Sequence, residues 1–139
     1  MTGNARVARA AGLIMSGLVV AFMLLDGGMK LVPLEVVVRT TADLGYPPSP
    51  TLIRAIGLLG LACALLYAVP RTAVLGAVLL TAYMGGAVAT HVRVGSPLFS
   101  HVLFGVYLAL LAWGGLFLRD PAIRALLPLR KRPAQDGGD

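Results

Sequence analysis

Thr72-Ala73-Val74-Leu75-Gly76-Ala77-Val78-Leu79-Leu80-Thr81-Ala82-Tyr83-Met84-Gly85-Gly86-Ala87-Val88-Ala89-Thr90 is a run of 19 residues without a charge. At about 1.5 Å per residue, a helix of this length nearly crosses a hydrocarbon core of about 30 Å. Three further uncharged runs flank it: Ala10 to Leu25, Ala55 to Val69 and Val102 to Leu118, of 16, 15 and 17 residues. Each of these three is short of the roughly 20 residues a span needs, so each helix must extend into neighbouring polar residues. The whole chain fits this reading: 58% of its 139 residues are hydrophobic and 13% charged. Soluble domains carry about 25% charged residues, so water is the wrong solvent for this composition.

Punctuation residues say where the extensions go. Pro50, with Ser49 before it as N-cap, starts a second helix that contains Arg54, and Pro70 stops it. By the same logic Ser96 caps a fourth helix that starts at Pro97 and contains His101. The expected fold is therefore all-α: an integral membrane bundle of four transmembrane helices, in one domain over residues 1–128. The spans are placed at about 8–32, 50–69, 72–92 and 97–118. Asp120 caps a short interfacial helix at 120–127, and residues 129–139 form a basic, then flexible, tail. Arg6 and Arg9 before the first apolar run resemble a signal sequence. No small-x-small cleavage pattern follows Leu25, so the first helix is expected to be retained.

Charge sets the orientation. Placing both termini in the cytoplasm puts eight of the 12 Lys and Arg residues inside and four outside, as the positive-inside rule favours. The formal net charge of +6 is then mainly topology. No basic run is interleaved with aromatics, so nucleic acid is not an expected partner, whereas membrane lipids are. The expected location is a membrane, as a multi-pass protein. Cys63 is the single cysteine, which excludes an internal disulfide and a Cys-x-x-Cys redox centre. Gly12 and Ser16, Gly60 and Ala64, Ala82 and Gly86, and Gly85 and Ala89 have the spacing of close helix contacts. Bundle packing is the preferred reading for them, with a homo-oligomer face left open. Tyr67, Trp113 and Phe117 at the inner ends and Tyr46 and Phe99 at the outer ends are expected in aromatic belts.

Under this topology six ionisable residues gather at the outer side: Asp26 and Lys30, Arg54, His91 and Arg93, and His101. Asp26 and Lys30 are four apart and share a helical face. An ionisable group within a span is tolerated when it is paired or hydrated inside the bundle, so these six mark a candidate ligand-binding pocket. The bland reading stands beside it: Lys30, Arg54 and Arg93 have stems long enough to snorkel to the headgroups, whereas Asp26 and His101 do not. No catalytic residue is assigned, because no Ser-His-Asp order, phosphate loop or paired catalytic carboxylate is present. Haem or a metal is disfavoured, since two histidines and one aspartate make no ligand motif and Arg54 and Arg93 would repel a cation. An anionic or carbonyl-bearing ligand, such as a quinone-like or lipid-like molecule, is the better fit. Glu35, Arg39 and Asp43 are read as a solvated face of the outer loop, which runs from about 33 to 49.

Several stretches also resemble the DoxX-like family of small four-helix bacterial membrane proteins. They are Gly27-Gly28-Met29-Lys30, Leu44-Gly45-Tyr46-Pro47, Leu66-Tyr67-Ala68-Val69-Pro70-Arg71-Thr72, Trp113-Gly114-Gly115 and Leu118-Arg119-Asp120. The strongest is Thr81 to Arg93, similar to the family's Gly-Gly-Ala and His-x-x-Arg-like ending, here spaced His91-Val92-Arg93. The resemblance implies a four-helix membrane bundle associated with quinone-linked oxidoreductases, redox homeostasis or membrane-protein assembly, and it singles out Lys30, His91, Arg93 and His101. Three functions follow as expectations. The first is a non-catalytic membrane subunit or binding protein with the outer polar pocket. The second is an assembly or interaction factor, scaffold or chaperone, for a partner membrane or redox protein. The third is a quinone-linked oxidoreductase subunit.

Overall fold

Four apolar segments that each reach the length of a bilayer satisfy every backbone hydrogen bond internally only as helices, and that is how they fold. The computed structural model describes residues 3–32 and 34–126. In chain order the elements are α1 (Gly3–Leu31), α2 (Glu35–Asp43), α3 (Pro50–Ala68), α4 (Ala73–Arg93), a π-helical turn (Leu98–Val102) that leads into α5 (Phe104–Arg119), and α6 (Pro121–Leu126). No strand occurs among the described residues. Helices α1, α3, α4 and α5 are each long and apolar enough to cross a membrane, α5 when taken together with the π-helical turn. The chain runs up α1, down α3, up α4 and down α5, and α1 packs on α3 and α5 while α4 packs on the same two. One end of the bundle therefore holds the start of α1, the α3–α4 turn and α6. The other holds α2 and the α4–α5 loop.

The helix ends follow the punctuation where local chemistry suffices. Ser49 Oγ accepts a hydrogen bond from Leu52 N at 3.4 Å, and Pro50 takes the first helical position of α3. At the other end Thr72 Oγ1 donates to Leu66 O at 2.7 Å, closing the tight turn through Pro70 and Arg71. Gly76 is required there, because a Cβ would overlap the backbone of Tyr67. Asp120 caps α6 as expected, accepting from Ala122 N at 2.9 Å. The described part of the 120–127 helix ends at Leu126, and the basic tail with Arg130, Lys131 and Arg132 lies outside the described residues.

Two expectations about local structure are corrected. Ser96 does not cap a helix that begins at Pro97. Val102 N bonds to Pro97 O and Leu103 N to Leu98 O, five residues back, so the chain enters through a π turn, and Ser96 Oγ instead meets His91 Nδ1. The loop before α3 is also more than a loop, since the nine residues of α2 form a helix whose Glu35 and Arg39 pair at 2.9 Å on its exposed side.

Small residues draw the helices together. A Cβ on Gly12 would sit 2.7 Å from Gly115 O and 2.8 Å from Arg119 N, and one on Gly115 would sit 2.5 Å from Ser16 Oγ. Gly27 and Gly57 make the equivalent crossing of α1 and α3. Without these glycines the backbones could not approach closely enough for dispersion to hold them in lipid. The core between them is Val19, Met23, Cys63, Ala64, Tyr67, Ala77, Leu80, Met84, Leu108, Ala112 and Leu116. The outer flanks are the reverse of a soluble protein's: Ile14, Leu58 and Leu110 are 64%, 62% and 65% exposed.

Tyr67 corrects the belt expectation. It is fully buried, its hydroxyl donates to Ala112 O at 2.8 Å, and Ser16 Oγ lies 2.9 Å from that hydroxyl. The Arg119 guanidinium covers the ring 5.3 Å from its centroid. Trp113, half-buried, donates from Nε1 to Thr81 Oγ1 at 2.9 Å.

Candidate functional site

Toward the loop end the bundle is no longer filled at its centre, although α1 and α3 still meet at Gly27 and Gly57. A cavity of about 610 Å³ opens there, with Phe22, Ile53, Ile56, Leu59, Leu79 and Phe104 among its apolar walls. Its polar lining is Asp26, Lys30, Thr41, Tyr46, Tyr83, Thr90 and His91. Leu59, Leu79, Ala82 and Gly86, on α3 and α4, line the cavity and are exposed. Phe22 and Phe104 close the α1–α5 side, edge to face with centroids 4.9 Å apart.

Helical spacing places each polar group. Phe22, Asp26 and Lys30 recur every four residues on one face of α1, and Tyr83, Gly86, Ala87, Thr90 and His91 form one face of α4. Lys30 reaches inward because Gly57 has no side chain, since a Cβ there would sit 2.6 Å from that of Lys30. Lys30 Nζ donates to Asp26 Oδ1 at 2.5 Å, with the two side chains only 21% and 25% exposed. Pairing leaves no net charge from these two residues, the condition under which ions persist at membrane depth. Thr90 Oγ1 donates to Gly86 O at 2.9 Å and Tyr46 hydroxyl lies 3.1 Å from Thr90 Oγ1, which ties the loop after α2 across the cavity. The Tyr83 hydroxyl stands against Gly60, where a Cβ would be 3.2 Å from it.

The six residues singled out from sequence divide into three sets. Asp26, Lys30 and His91 line the cavity. Arg54 and Arg93 do not: Arg54 Nε donates to Leu31 O at 3.2 Å, and Arg93 donates to Leu44 O at 2.7 Å. Arg93 thereby pins the turn after α2, where Gly45 has φ +81° and a Cβ would lie 2.9 Å from the guanidinium. His101 is exposed outside the cavity, its ring 5.6 Å from that of His91. Residues that charge counting passed over are Tyr46, Tyr83, Thr90 and the two phenylalanines. Tyr83 could have been found by stepping eight residues back from His91, Thr90 by stepping seven on from Tyr83, and Phe22 by stepping four back from Asp26.

The sequence matches the model of the DoxX-like family over residues 14–115, most of the chain and all of the cavity lining. The chain belongs to the DoxX-like family. With four helices able to cross a bilayer, this DoxX-like protein is a multi-pass membrane protein whose apolar flanks contact lipid. No curated protein and no solved structure matches it. Among the described residues of this DoxX-like chain, no three His, Cys, Asp or Glu side chains come together.

Proposed function

We propose that this DoxX-like protein is a non-catalytic membrane subunit or binding protein that accepts a quinone-like or lipid-like molecule from the bilayer into the cavity between α1, α3 and α4. The observation that carries the reading is a mainly apolar cavity, with the exposed Leu59 and Leu79 in its wall, that also holds the polar groups of Asp26, Lys30, Tyr83 and His91. Its volume of about 610 Å³ is within the roughly 300–1,000 Å³ typical of ligand sites. Lys30 is paired with Asp26, and Arg54 and Arg93 are held by backbone carbonyls outside the cavity. This balance favours a neutral carbonyl- or hydroxyl-bearing head over an anion. Tyr83 hydroxyl and Lys30 Nζ are donors for such a head, and Asp26 is an acceptor. In the family's setting this binding role would serve redox homeostasis in the bacterial inner membrane.

The test is to fill the cavity. Gly86 lines it and has open space around its missing Cβ, so Gly86→Phe obstructs the volume without a backbone clash. Lipid extracts of the purified Gly86→Phe protein should lose a lipophile that co-purifies with the wild type, by mass spectrometry. Identical extracts would sink the reading.

An assembly or interaction factor is the second reading, and one observation favours it. Gly85 and Ala89 are exposed on α4, with nothing within 4 Å of a Cβ on Gly85, so a partner helix could approach closely there. Gly85→Leu would abolish recovery of a membrane partner or a second copy in pull-downs, while Gly86→Phe would leave it intact. The third reading, a quinone-linked oxidoreductase subunit, requires visible absorbance from haem or flavin in the purified complex. Both termini are assigned to the cytoplasm on the eight-to-four charge count, and reporter fusions at either end check it.

A further inference from the structure

His91 closes α4 and His101 lies in the π-helical turn, and the loop between them brings their rings to 5.6 Å between centroids, inclined at 61°. Each ring is held the same way. His91 Nδ1 lies 2.9 Å from Ser96 Oγ, and His101 Nδ1 lies 2.8 Å from Ser100 Oγ. A serine on Nδ1 fixes the ring and, when it accepts the Nδ1 proton, leaves Nε2 as the bare lone pair. Histidines that bind metals are held in this way, through the second nitrogen. A centroid separation of 5.6 Å is compatible with two imidazole nitrogens reaching one ion at about 2.0–2.1 Å with an intermediate N–metal–N angle.

The two nearby guanidinium groups are each directed to a backbone carbonyl. Arg93 is two residues from His91, on nearly the opposite side of α4, and is engaged by Leu44 O. Arg54 is engaged by Leu31 O. His91 also stands in the last turn of α4, where the helix dipole presents its negative end.

We propose that His91 and His101 form a binding site for a divalent transition-metal ion at the loop end of the bundle, with Cu2+ held more tightly than Zn2+. The two imidazoles are the protein ligands, and water or a bound molecule completes the coordination, since no third His, Cys, Asp or Glu joins them among the described residues. Borderline imidazole ligands select this class of ion, and the order of affinity follows from the Irving–Williams series. The site does not depend on the cavity reading. Gly86→Phe leaves it unchanged, so either proposal fails without the other.

The experiment is Cu2+ titration of the full chain in detergent, followed by electron paramagnetic resonance, with Zn2+ as competitor. One Cu2+ per chain with hyperfine coupling to two nitrogens is expected. His101→Ala and His91→Asn should each weaken binding at least about tenfold, and Ser96→Ala and Ser100→Ala about tenfold. Asn keeps a hydrogen-bonding atom where Nδ1 of His91 meets Ser96 and removes Nε2, so this variant retains the fold. A one-nitrogen spectrum, or affinity unchanged in the double variant His91→Asn, His101→Ala, would overturn the assignment.

Discussion

At the termini end Gly12 lies against Gly115, Ser16 against Tyr67, and Tyr67 against Ala112 O, with Arg119 closing over the ring. At the loop end the corresponding centre of the bundle is a cavity walled by Phe22, Ile53, Ile56 and Phe104, with a Lys30–Asp26 pair at its rim. The same four helices build both. At the first end, glycines let backbones touch and a fully satisfied polar network stands where three helices meet. At the second, α1 and α3 still cross closely at Gly27 and Gly57, but a cavity lined by larger side chains separates the pairs of helices, and Gly86 faces open space. The contrast teaches that small residues act in opposite ways according to what faces them. Gly12 is filled by its neighbour's backbone, whereas Gly86 faces nothing within 4 Å.

The comparison breaks most severely at Gly12. Gly12→Leu would force α1 off the backbone of α5, costing on the order of 3 kcal/mol, and thermal unfolding in detergent should show a large fall in Tm or loss of the monodisperse species. A Gly12→Leu protein of wild-type Tm would show that the termini end is not close-packed. Tyr67→Phe comes next. It strips Ala112 O and Ser16 Oγ of their buried partner, and denaturant or thermal unfolding should register a loss of about 1–3 kcal/mol. Gly86→Phe at the loop end sharpens the contrast from the other side, with stability kept within about 0.5 kcal/mol while co-purified lipophile is lost. The smallest effect belongs to Arg39→Ala. Its pair with Glu35 is exposed on both sides, and circular dichroism melting should show no change.

The chain revealed most where the physics is local. The uncharged runs gave away the spans, because a bilayer sets helix length directly; Ser49-Pro50 marked the start of α3, and Asp120 the start of α6. Ser96-Pro97 looked identical to Ser49-Pro50 and behaved differently. Ser96 had an alternative partner in His91, five residues earlier across a tight loop, and no window confined to the helix start contains that competitor. The sequence carried the Asp26–Lys30 pair in its spacing of four. It did not carry the fate of Arg54 and Arg93, because their partners, Leu31 O and Leu44 O, are carbonyls 23 and 49 residues away. Tyr67 was legible as an aromatic near a helix end, which fits a belt as well as a buried anchor until Ser16 and Ala112 O are brought to it.

From the amino-acid sequence alone came the solvent, the number and approximate ends of the spans, the unequal division of charge and the resemblance to the DoxX-like family. Each depends on hydrophobicity and spacing along one chain, which the bilayer reads segment by segment. Only the tertiary structure decided that two of the outer cations serve as clamps, that the bundle is tight at one end and hollow at the other, and that His91 stands beside His101. Those outcomes depend on which helix face meets which, a property of pairs of helices that no single helix encodes.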